Sequence, residues 1–93
     1  MLTVAVYDIS DNTSRLYLIK KLQYYSLKRL QKSVFIGYLE PEERLDLAND
    51  VETYLSSDND SIVIFPICEG CKKSILIQGD ADIPQNDLTY RFI

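Results

Sequence analysis

The sequence contains no histidine. This absence excludes Ser-His-Asp and Cys-His nucleophile pairs, histidine general bases and histidine metal ligands. Any chemistry must therefore depend on carboxylates, lysine, tyrosine, cysteine or a bound metal ion. The two cysteines in the chain do not make a disulfide framework, because no export signal accompanies them.

Long apolar runs are also missing. The longest run is a handful of residues, far below the length that spans a bilayer. The first residues, MLTVAVYD, show neither a basic region nor a small-residue cleavage site. We therefore expect a cytoplasmic protein with no membrane association. The 93 residues leave room for one compact domain, and a domain this short gains stability from oligomerisation.

The charge is distributed unevenly. A net charge of −4 by itself argues against a nucleic-acid binder. Residues 1–39, however, carry six basic and two acidic residues, whereas residues 40–93 carry four basic and twelve acidic residues. The six basic residues lie between Arg15 and Lys32, with no acid among them. This asymmetry is typical of a polyanion-binding site; the alternative is a pair of ordinary solvated helix faces.

The hydrophobic pattern predicts the order β-α-β-β-α-β, which is the split-βαβ, ferredoxin-like pattern of an α+β domain. We assign residues 1–79 to this domain and expect a homodimer through the open sheet face. The chain from 80 to 93 reads as a linker and a C-terminal strand that pairs with a sheet edge of the partner protomer. Predicted strands cover 2–7, 28–31, 34–39, 61–67 and 74–78; predicted helices cover 13–25 and a stretch from Pro41.

Several local features accompany this pattern. One long bent strand over 28–39 is the alternative to two short ones. Gly37 inside it indicates a bulge or a close backbone approach. Arg15 lies on the inward stripe of the first helix, where a cation needs an anionic neighbour or ligand, and Asp8 is the nearest one. The predicted buried stripe of the second helix consists of Leu47, Ala48, Val51, Tyr54 and Leu55.

Asp8 is the first candidate for chemistry, since it ends the strand that this topology places centrally. One carboxylate makes a poor metal site, but a two-fold dimer could bring two copies of Asp8 to one axis. The pair could then share one Mg²⁺ or Mn²⁺, which would activate a water for hydrolysis without histidine. The alternative is that the Asp8 side chain caps a turn, as aspartates commonly do.

Cys68 and Cys71 are the second candidate. A single CxxC supplies half of a structural zinc site. A redox pair needs the motif at a helix N-terminus after a strand. The pattern here predicts a strand–strand turn, in which the cysteines serve as small apolar residues.

Three segments and one arginine carry a family resemblance. The stretches VAVYDIS at 4–10, LKRLQKSVFIGYL at 27–39 and IVIFPICEGCKKSILIQG at 62–79, with Arg15 in the first helix, resemble the small CRISPR-associated endonuclease family. Members of that family partner the CRISPR integrase in spacer acquisition. The resemblance implies a ferredoxin-like homodimer with a strand contributed by the C-terminal tail. It also implies a Mg²⁺-dependent nuclease acting on single-stranded RNA or on duplex DNA.

The resemblance also assigns roles to individual residues. Asp8 matches the family's divalent-metal aspartate, with one copy from each protomer facing across the dimer cleft. Tyr7 matches the adjacent family tyrosine, and Arg15 matches a basic position after the first turn, so these three form the predicted catalytic set. The predicted nucleic-acid-binding residues are Arg15, Lys28, Arg29, Lys32, Ser33 and Phe35.

The chain departs from the family pattern at two positions. Ser14 stands where a second basic residue is common, which weakens the case for phosphate binding. Ser26 stands where a glycine often follows the helix-ending tyrosine. Two other functions stay open at this point. One is a non-catalytic dimeric adaptor that bridges DNA and the integrase, and the other is a regulatory module that binds a small ligand in its dimer cleft.

Overall fold

The computed structural model describes residues 1–79, which form a four-stranded antiparallel sheet with two helices packed on one face. The order of elements confirms the predicted β-α-β-β-α-β pattern, including two short strands in place of one bent strand. The predicted linker and C-terminal strand lie in 80–93, outside the described residues. The elements are β1 (Leu2–Asp8), α1 (Asn12–Tyr24), β2 (Lys28–Gln31), β3 (Val34–Tyr38), α2 (Pro41–Val51), a 3₁₀ turn (Glu52–Tyr54), β4 (Ser61–Ile67) and α3 (Glu69–Lys73).

The strands are ordered β2-β3-β1-β4, so β1 has a hydrogen-bonded neighbour on each side. Val4 of β1 lies opposite Ile36 of β3 and Phe65 of β4. Within residues 1–79, β4 is an edge strand, and this position suits its Pro66, because proline cannot donate a hydrogen bond to a further strand.

Alternation along the strands divides the apolar residues between the two faces of the sheet. The helix-covered face holds the larger cluster, and the opposite face, here called the open face, holds a smaller one of Leu2, Val4 and Ile36. Val63 and Phe65 on the open face remain 54% and 39% exposed. The buried residues of the larger cluster are Ala5, Tyr7, Ile9, Leu18, Leu22, Leu27, Phe35, Leu39, Leu47 and Val51.

Both ends of α1 are fixed by local hydrogen bonds. Asp11 is the N-cap, and its carboxylate accepts a hydrogen bond from the Ser14 N–H at 2.8 Å, a role that aspartate commonly has at this position. At the other end, the Ser26 N–H donates to the Gln23 carbonyl at 2.9 Å, and the Leu27 N–H donates to the Leu22 carbonyl at 3.0 Å. This pair of bonds is a Schellman motif, and it places Ser26 in the left-handed region with φ +67°.

Gly37 makes the close approach that its place in a strand suggests. A Cβ atom at this position would lie 2.6 Å from Leu27 Cδ2 and 3.1 Å from Leu27 Cα. The irregularity in the sheet lies elsewhere, between Arg29 and Gln31 of β2. Glycine at 37 therefore lets the chain leaving α1 pack directly on the sheet.

The predicted buried stripe of α2 is wrong in part. Leu47 and Val51 are buried, but Ala48 and Leu55 are exposed. The physical reason is that β4 ends the described sheet beneath this side of α2. The outer half of the stripe overhangs that edge, where Ala48 and Leu55 line a groove with Ile64.

The prediction for the chain after β4 is also wrong. Residues 69–73 form the short helix α3 instead of a hairpin turn, and the predicted strand over 74–78 is absent from the structure. Two contacts direct this conformation. Cys68 caps the helix, and Ile75 packs against the open-face cluster. Lys72 Nζ also donates a hydrogen bond to the Tyr38 hydroxyl, so this segment covers one end of the open face.

None of the helices in residues 1–79 is long and apolar enough to cross a membrane.

Candidate functional site

Asp8 is the last residue of the central strand β1, and its side chain is exposed. Alternation places it on the open face together with Val4 and Val6. Its carboxylate accepts no hydrogen bond from any residue in 1–79, so the predicted alternative, a turn-capping role, does not fit. The turn and cap bonds are made instead by Asp11 and Asp60. Asp8 is thus a free carboxylate at the uncovered end of an apolar face.

Asp60 joins the two loops beside Asp8. Its Oδ1 accepts hydrogen bonds from the Ser10 N–H at 3.1 Å and from the Ser10 hydroxyl at 3.2 Å. Its Oδ2 accepts the Ser56 N–H at 3.0 Å and the Ser57 N–H at 3.2 Å. The hydroxyls of Ser56 and Ser57 also donate to the Asp60 carboxylate. Because these donors favour the charged form, the pKa of Asp60 lies well below its usual value.

Sequence reasoning did not single out Asp60. The signal was present in the run Ser-Ser-Asp-Asn-Asp at 56–60, since serine and aspartate side chains commonly hydrogen-bond nearby backbone groups. What the sequence could not show is the bond to Ser10, fifty positions away. That bond fixes the loop that follows Asp8.

Arg15 has other partners than the one predicted. Its Nη1 donates to the Ile9 carbonyl at 2.9 Å, and its Nη2 donates to Asn12 Oδ1 at 2.7 Å. The expectation of an ion pair with Asp8 is wrong, because these two neutral acceptors already satisfy the guanidinium in the first turn of α1. Arg15 therefore closes the β1–α1 loop from the helix side while Asp60 closes it from the β4 side.

The turn between β2 and β3 lies beside the same end of β1. The Ser33 carbonyl accepts the Tyr7 N–H at 3.0 Å, and Ser33 adopts φ +67°. This bond places the exposed Lys32 side chain near the strand end that carries Asp8. The predicted contact residues Lys32 and Ser33 are thus brought to the Asp8 end of the sheet.

The two basic residues of β2 are divided between the faces. Lys28 lies opposite Ile36 and shares the open face with it, whereas Arg29 lies opposite Phe35 on the helix-covered side. The Arg29 guanidinium carbon lies 5.3 Å from the centre of the Phe35 ring, in cation–π contact. Both side chains are exposed at the sheet edge. Lys28 is therefore the one on the same face as Asp8.

Two predicted site residues lie in the core instead of at the surface. Tyr7 is 4% exposed and Phe35 is 1% exposed, and their ring centres are 6.3 Å apart under the helices. Buried in this way, Phe35 cannot stack on a base, and the Tyr7 ring lies on the opposite sheet face from Asp8. Both predictions of direct contact are corrected to packing roles, because strand alternation turns Tyr7 away from Asp8 and places Phe35, opposite Ala5, on the same helix-covered face.

The residues present fit a metal ion shared between two protomers better than an ion bound by a single protomer. Within residues 1–79, no group of three or more carboxylate or cysteine side chains is arranged to hold a metal ion. Mg²⁺ commonly takes one or two protein carboxylates and keeps several waters. One exposed, unbonded Asp8 meets that requirement only when a second copy supplies another carboxylate.

The fold and the position of Asp8 together define a class of protein. This is a small α+β protein with two helices on one face of a four-stranded antiparallel sheet, and with a free carboxylate at the end of a central strand. A family model described as "CRISPR associated protein Cas2" matches residues 1–75. The chain therefore belongs to the Cas2 family, and the predicted resemblance is confirmed.

Relatives and solved structures agree with this assignment. The chain is 42% identical over 83 residues to CRISPR-associated endoribonuclease Cas2 1 of Archaeoglobus fulgidus, covering 89% of this chain and 88% of that protein. It is 33% identical over 67 residues to a CRISPR-associated endonuclease Cas1/endonuclease Cas2 fusion of Thermoproteus tenax, covering 72% of this chain and 25% of the fusion. The crystal structure of hypothetical protein TT1823 from Thermus thermophilus superposes with a TM-score of 0.75 at 29% identity, covering 90% and 96% of the two chains.

Proposed function

We propose that this chain is a metal-dependent endonuclease that hydrolyses phosphodiester bonds as a homodimer. The observation that carries the proposal is the exposed carboxylate of Asp8 at the end of a central strand, which accepts no hydrogen bond from the described residues 1–79. Support comes from the relative in Archaeoglobus fulgidus, which is named an endoribonuclease. Single-stranded RNA and duplex DNA both remain substrates under this proposal.

The proposed dimer is a pair of ferredoxin-like domains that meet through the open faces. The sheet order and the placement of both helices on one side support the fold. The exposed Val63 and Phe65 support the interface, because a contiguous apolar face usually marks a contact surface. In this arrangement, residues 80–93 would add a strand to a sheet edge of the partner protomer.

Two copies of Asp8 on a two-fold axis would repel each other unless a cation lies between them. We therefore assign Mg²⁺ or Mn²⁺ to this position, bound by one carboxylate from each protomer. Such an ion, when bound, lowers the pKa of a coordinated water and stabilises negative charge on a phosphoryl group. The chain's own residues supply the rest. Arg15 and Asp60 hold the loop after Asp8 in place, while the exposed Lys28 and Lys32 would contact the phosphate backbone.

The adaptor that bridges DNA and the integrase is a second candidate. It is favoured by the fusion in Thermoproteus tenax, whose name joins a Cas1 endonuclease and a Cas2 endonuclease in one chain. Exposed cations along the β2 edge suit backbone contacts that need no catalysis. The two functions are compatible in one dimer, so they must be separated by experiment.

The variant Asp8→Asn separates the catalytic function from the adaptor function. If Asp8 binds the catalytic ion, Mg²⁺-dependent cleavage of RNA or duplex DNA should fall at least about 100-fold, because a carboxylate ligand contributes several kcal/mol to the reaction. Mn²⁺ binding, measured by electron paramagnetic resonance at one ion per two chains, should be lost as well. Spacer acquisition in cells reports the adaptor role and should stay normal if bridging alone is required.

Asp46→Asn is the matched control, since it removes one exposed carboxylate from α2 on the other side of the sheet. It should keep cleavage and Mn²⁺ binding at the wild-type level. Undiminished cleavage by Asp8→Asn would exclude Asp8 as the catalytic ligand.

A further inference from the structure

The CxxC motif lies apart from the proposed nuclease site, at the junction of β4 and α3. Cys68 directly follows the last residue of β4, has an extended backbone with φ −73° and ψ 167°, and is the N-cap of α3. Cys71 lies in the first turn of that helix, and its N–H donates a hydrogen bond to Cys68 Sγ at 3.4 Å. The two cysteines are therefore one helical turn apart and in direct contact through this hydrogen bond, which is the proximity that two thiols of one chain need to form a disulfide.

Both thiols are free and exposed. One helical turn separates the two cysteines, so their side chains lie on the same side of the short helix. Gly70 places no side chain beside the first sulfur, since a Cβ atom at this position would lie 4.0 Å from Cys68 Sγ. An external reagent can therefore reach Cys68.

A zinc site is the competing use of two thiols. Structural zinc takes four protein ligands, usually cysteine or histidine. The chain has two cysteines and no histidine, and residues 1–79 contain no cluster of three ligating side chains. Zinc would need both thiols from each of two chains, whereas a redox pair needs only the two cysteines of one chain, which are already joined by the hydrogen bond from the Cys71 N–H to Cys68 Sγ.

The two cysteines differ in their environment. The N–H groups of Cys71 and Gly70 stabilise the Cys68 thiolate, and the pKa of Cys68 is lowered. The pKa of Cys71 is raised, because its thiol is hydrogen-bonded to Cys68 and any charge on it would repel that sulfur. This difference separates an attacking from a resolving cysteine.

We propose that Cys68 and Cys71 form a reversible thiol–disulfide pair that exchanges with low-molecular-weight disulfides. In the first step, the Cys68 thiolate attacks one sulfur of the reagent, its S–S bond breaks, and one thiolate leaves. In the second step, Cys71 loses its proton to solvent and attacks Cys68 Sγ, which breaks the mixed disulfide and releases the second thiolate. Two protein thiols are oxidised, one external disulfide is reduced to two thiols, and the leaving groups take up the two protons.

The contacts that hold the segment on the sheet do not involve the two cysteines. Lys72 is bonded to Tyr38, and Ile75 is packed on the open-face cluster. The exchange is therefore an activity of the β4–α3 junction alone, and it does not depend on the nuclease proposal.

The test treats the reduced protein with glutathione disulfide at pH 7 and follows intact mass. Wild type should lose two hydrogen atoms and retain no glutathione. Cys71→Ser should hold one glutathione on Cys68, because the resolving thiol is missing. Cys68→Ser should react about tenfold more slowly, because the backbone N–H groups of Cys71 and Gly70 that favour a thiolate are directed at residue 68 and not at Cys71. Serine is a good N-cap, so this variant keeps the start of α3.

Alkylation by iodoacetamide provides a second measurement. Its rate should rise at a lower pH in Cys71→Ser than in Cys68→Ser. Equal rates for the two single variants would overturn the proposal, and so would wild-type protein that accumulates glutathione on both cysteines. Binding of one zinc ion per two chains that blocks oxidation would overturn it in favour of the metal site.

Discussion

Asp60 is a single carboxylate on which two loops depend. Its oxygens accept hydrogen bonds from Ser10 after β1 and from Ser56 and Ser57 before β4. Asp60→Asn removes the charge and turns one acceptor oxygen into a donor that faces N–H groups. We expect a lower melting temperature at pH 7, measured by circular dichroism.

The pH dependence of that difference follows from the sign of the pKa shift. The pKa of Asp60 is lowered in the folded protein from an ordinary value of 3.8. Its contribution to stability is therefore complete above about pH 4 and decreases as the pH falls further towards the folded-state pKa. The difference in melting temperature between wild type and Asp60→Asn should become smaller below pH 4. Asp58→Asn, in the same loop but with no hydrogen bond to its carboxylate within residues 1–79, should melt like wild type at every pH.

The position of Arg15 on its helix could be predicted from the sequence, but its hydrogen-bond partners could not. Helical spacing placed it correctly on the inward side of the first turn, with a need for a partner. The partner proved to be the Ile9 carbonyl together with Asn12, and backbone carbonyls have no signature in a sequence. Tyr7 and Phe35 were misjudged for a related reason. A family resemblance identifies positions, whereas burial depends on which face of the strand each position occupies.

At the scale of elements, the end of α1 contains a conformation that serine adopts at a cost. Ser26 has φ +67° at the C′ position of the Schellman motif. A left-handed residue with a Cβ atom costs roughly 1–2 kcal/mol, and glycine avoids this but loses more entropy on folding, by roughly 0.5–1 kcal/mol. Ser26→Gly should therefore raise the free energy of unfolding by about 0.5–1 kcal/mol in urea denaturation.

A matched serine shows whether the conformation is responsible. Ser61 lies in the extended strand β4, where glycine only adds entropy to the unfolded chain. Ser61→Gly should lower the free energy of unfolding by about 0.5–1 kcal/mol. A loss of stability in Ser26→Gly as well would contradict the assigned strain.

Element prediction succeeded where periodicity and caps were strong. The apolar spacing of Leu18 and Leu22 predicted α1, and the apolar stretches 2–7 and 61–67 predicted β1 and β4, of which β1 extends one residue further, to Asp8. It failed at α3, because the alternating Ile75 and Ile77 imitate a strand. The helix there depends on a cysteine cap and on the packing of Ile75 across the open face. Neither of these is visible in local sequence.

For the whole molecule, the charge separation seen in the sequence becomes a difference between surfaces. The exposed acidic residues of α2 lie over the helix-covered face, while Lys28 and Lys32 lie along the β2 edge and its turn. Lys21 is already engaged with Asp50 at 4.0 Å. A chain with a net charge of −4 can therefore still offer a polyanion one basic edge, provided that the acidic helix faces away.

The open face connects dimerisation with the proposed cleavage activity. Phe65 is 39% exposed on this face, next to Val63 in the same uncovered region. In the proposed dimer, Phe65→Glu would bury an unpaired charge. The dissociation constant should then rise about 100-fold, which corresponds to about 2.8 kcal/mol, and sedimentation equilibrium would measure it. Leu45→Glu is the matched control, because Leu45 is 67% exposed on α2 and should leave the dimer intact.

Because the proposed metal ion needs one Asp8 from each protomer, loss of the dimer should remove cleavage in parallel. Phe65→Glu should lose Mg²⁺-dependent cleavage at concentrations where it is monomeric and regain it at concentrations where the dimer re-forms. A monomeric Phe65→Glu that cleaves at the wild-type rate would contradict the shared ion. A Phe65→Glu that stays fully dimeric would show that the protomers meet through another surface, and the two copies of Asp8 would then have no reason to face each other.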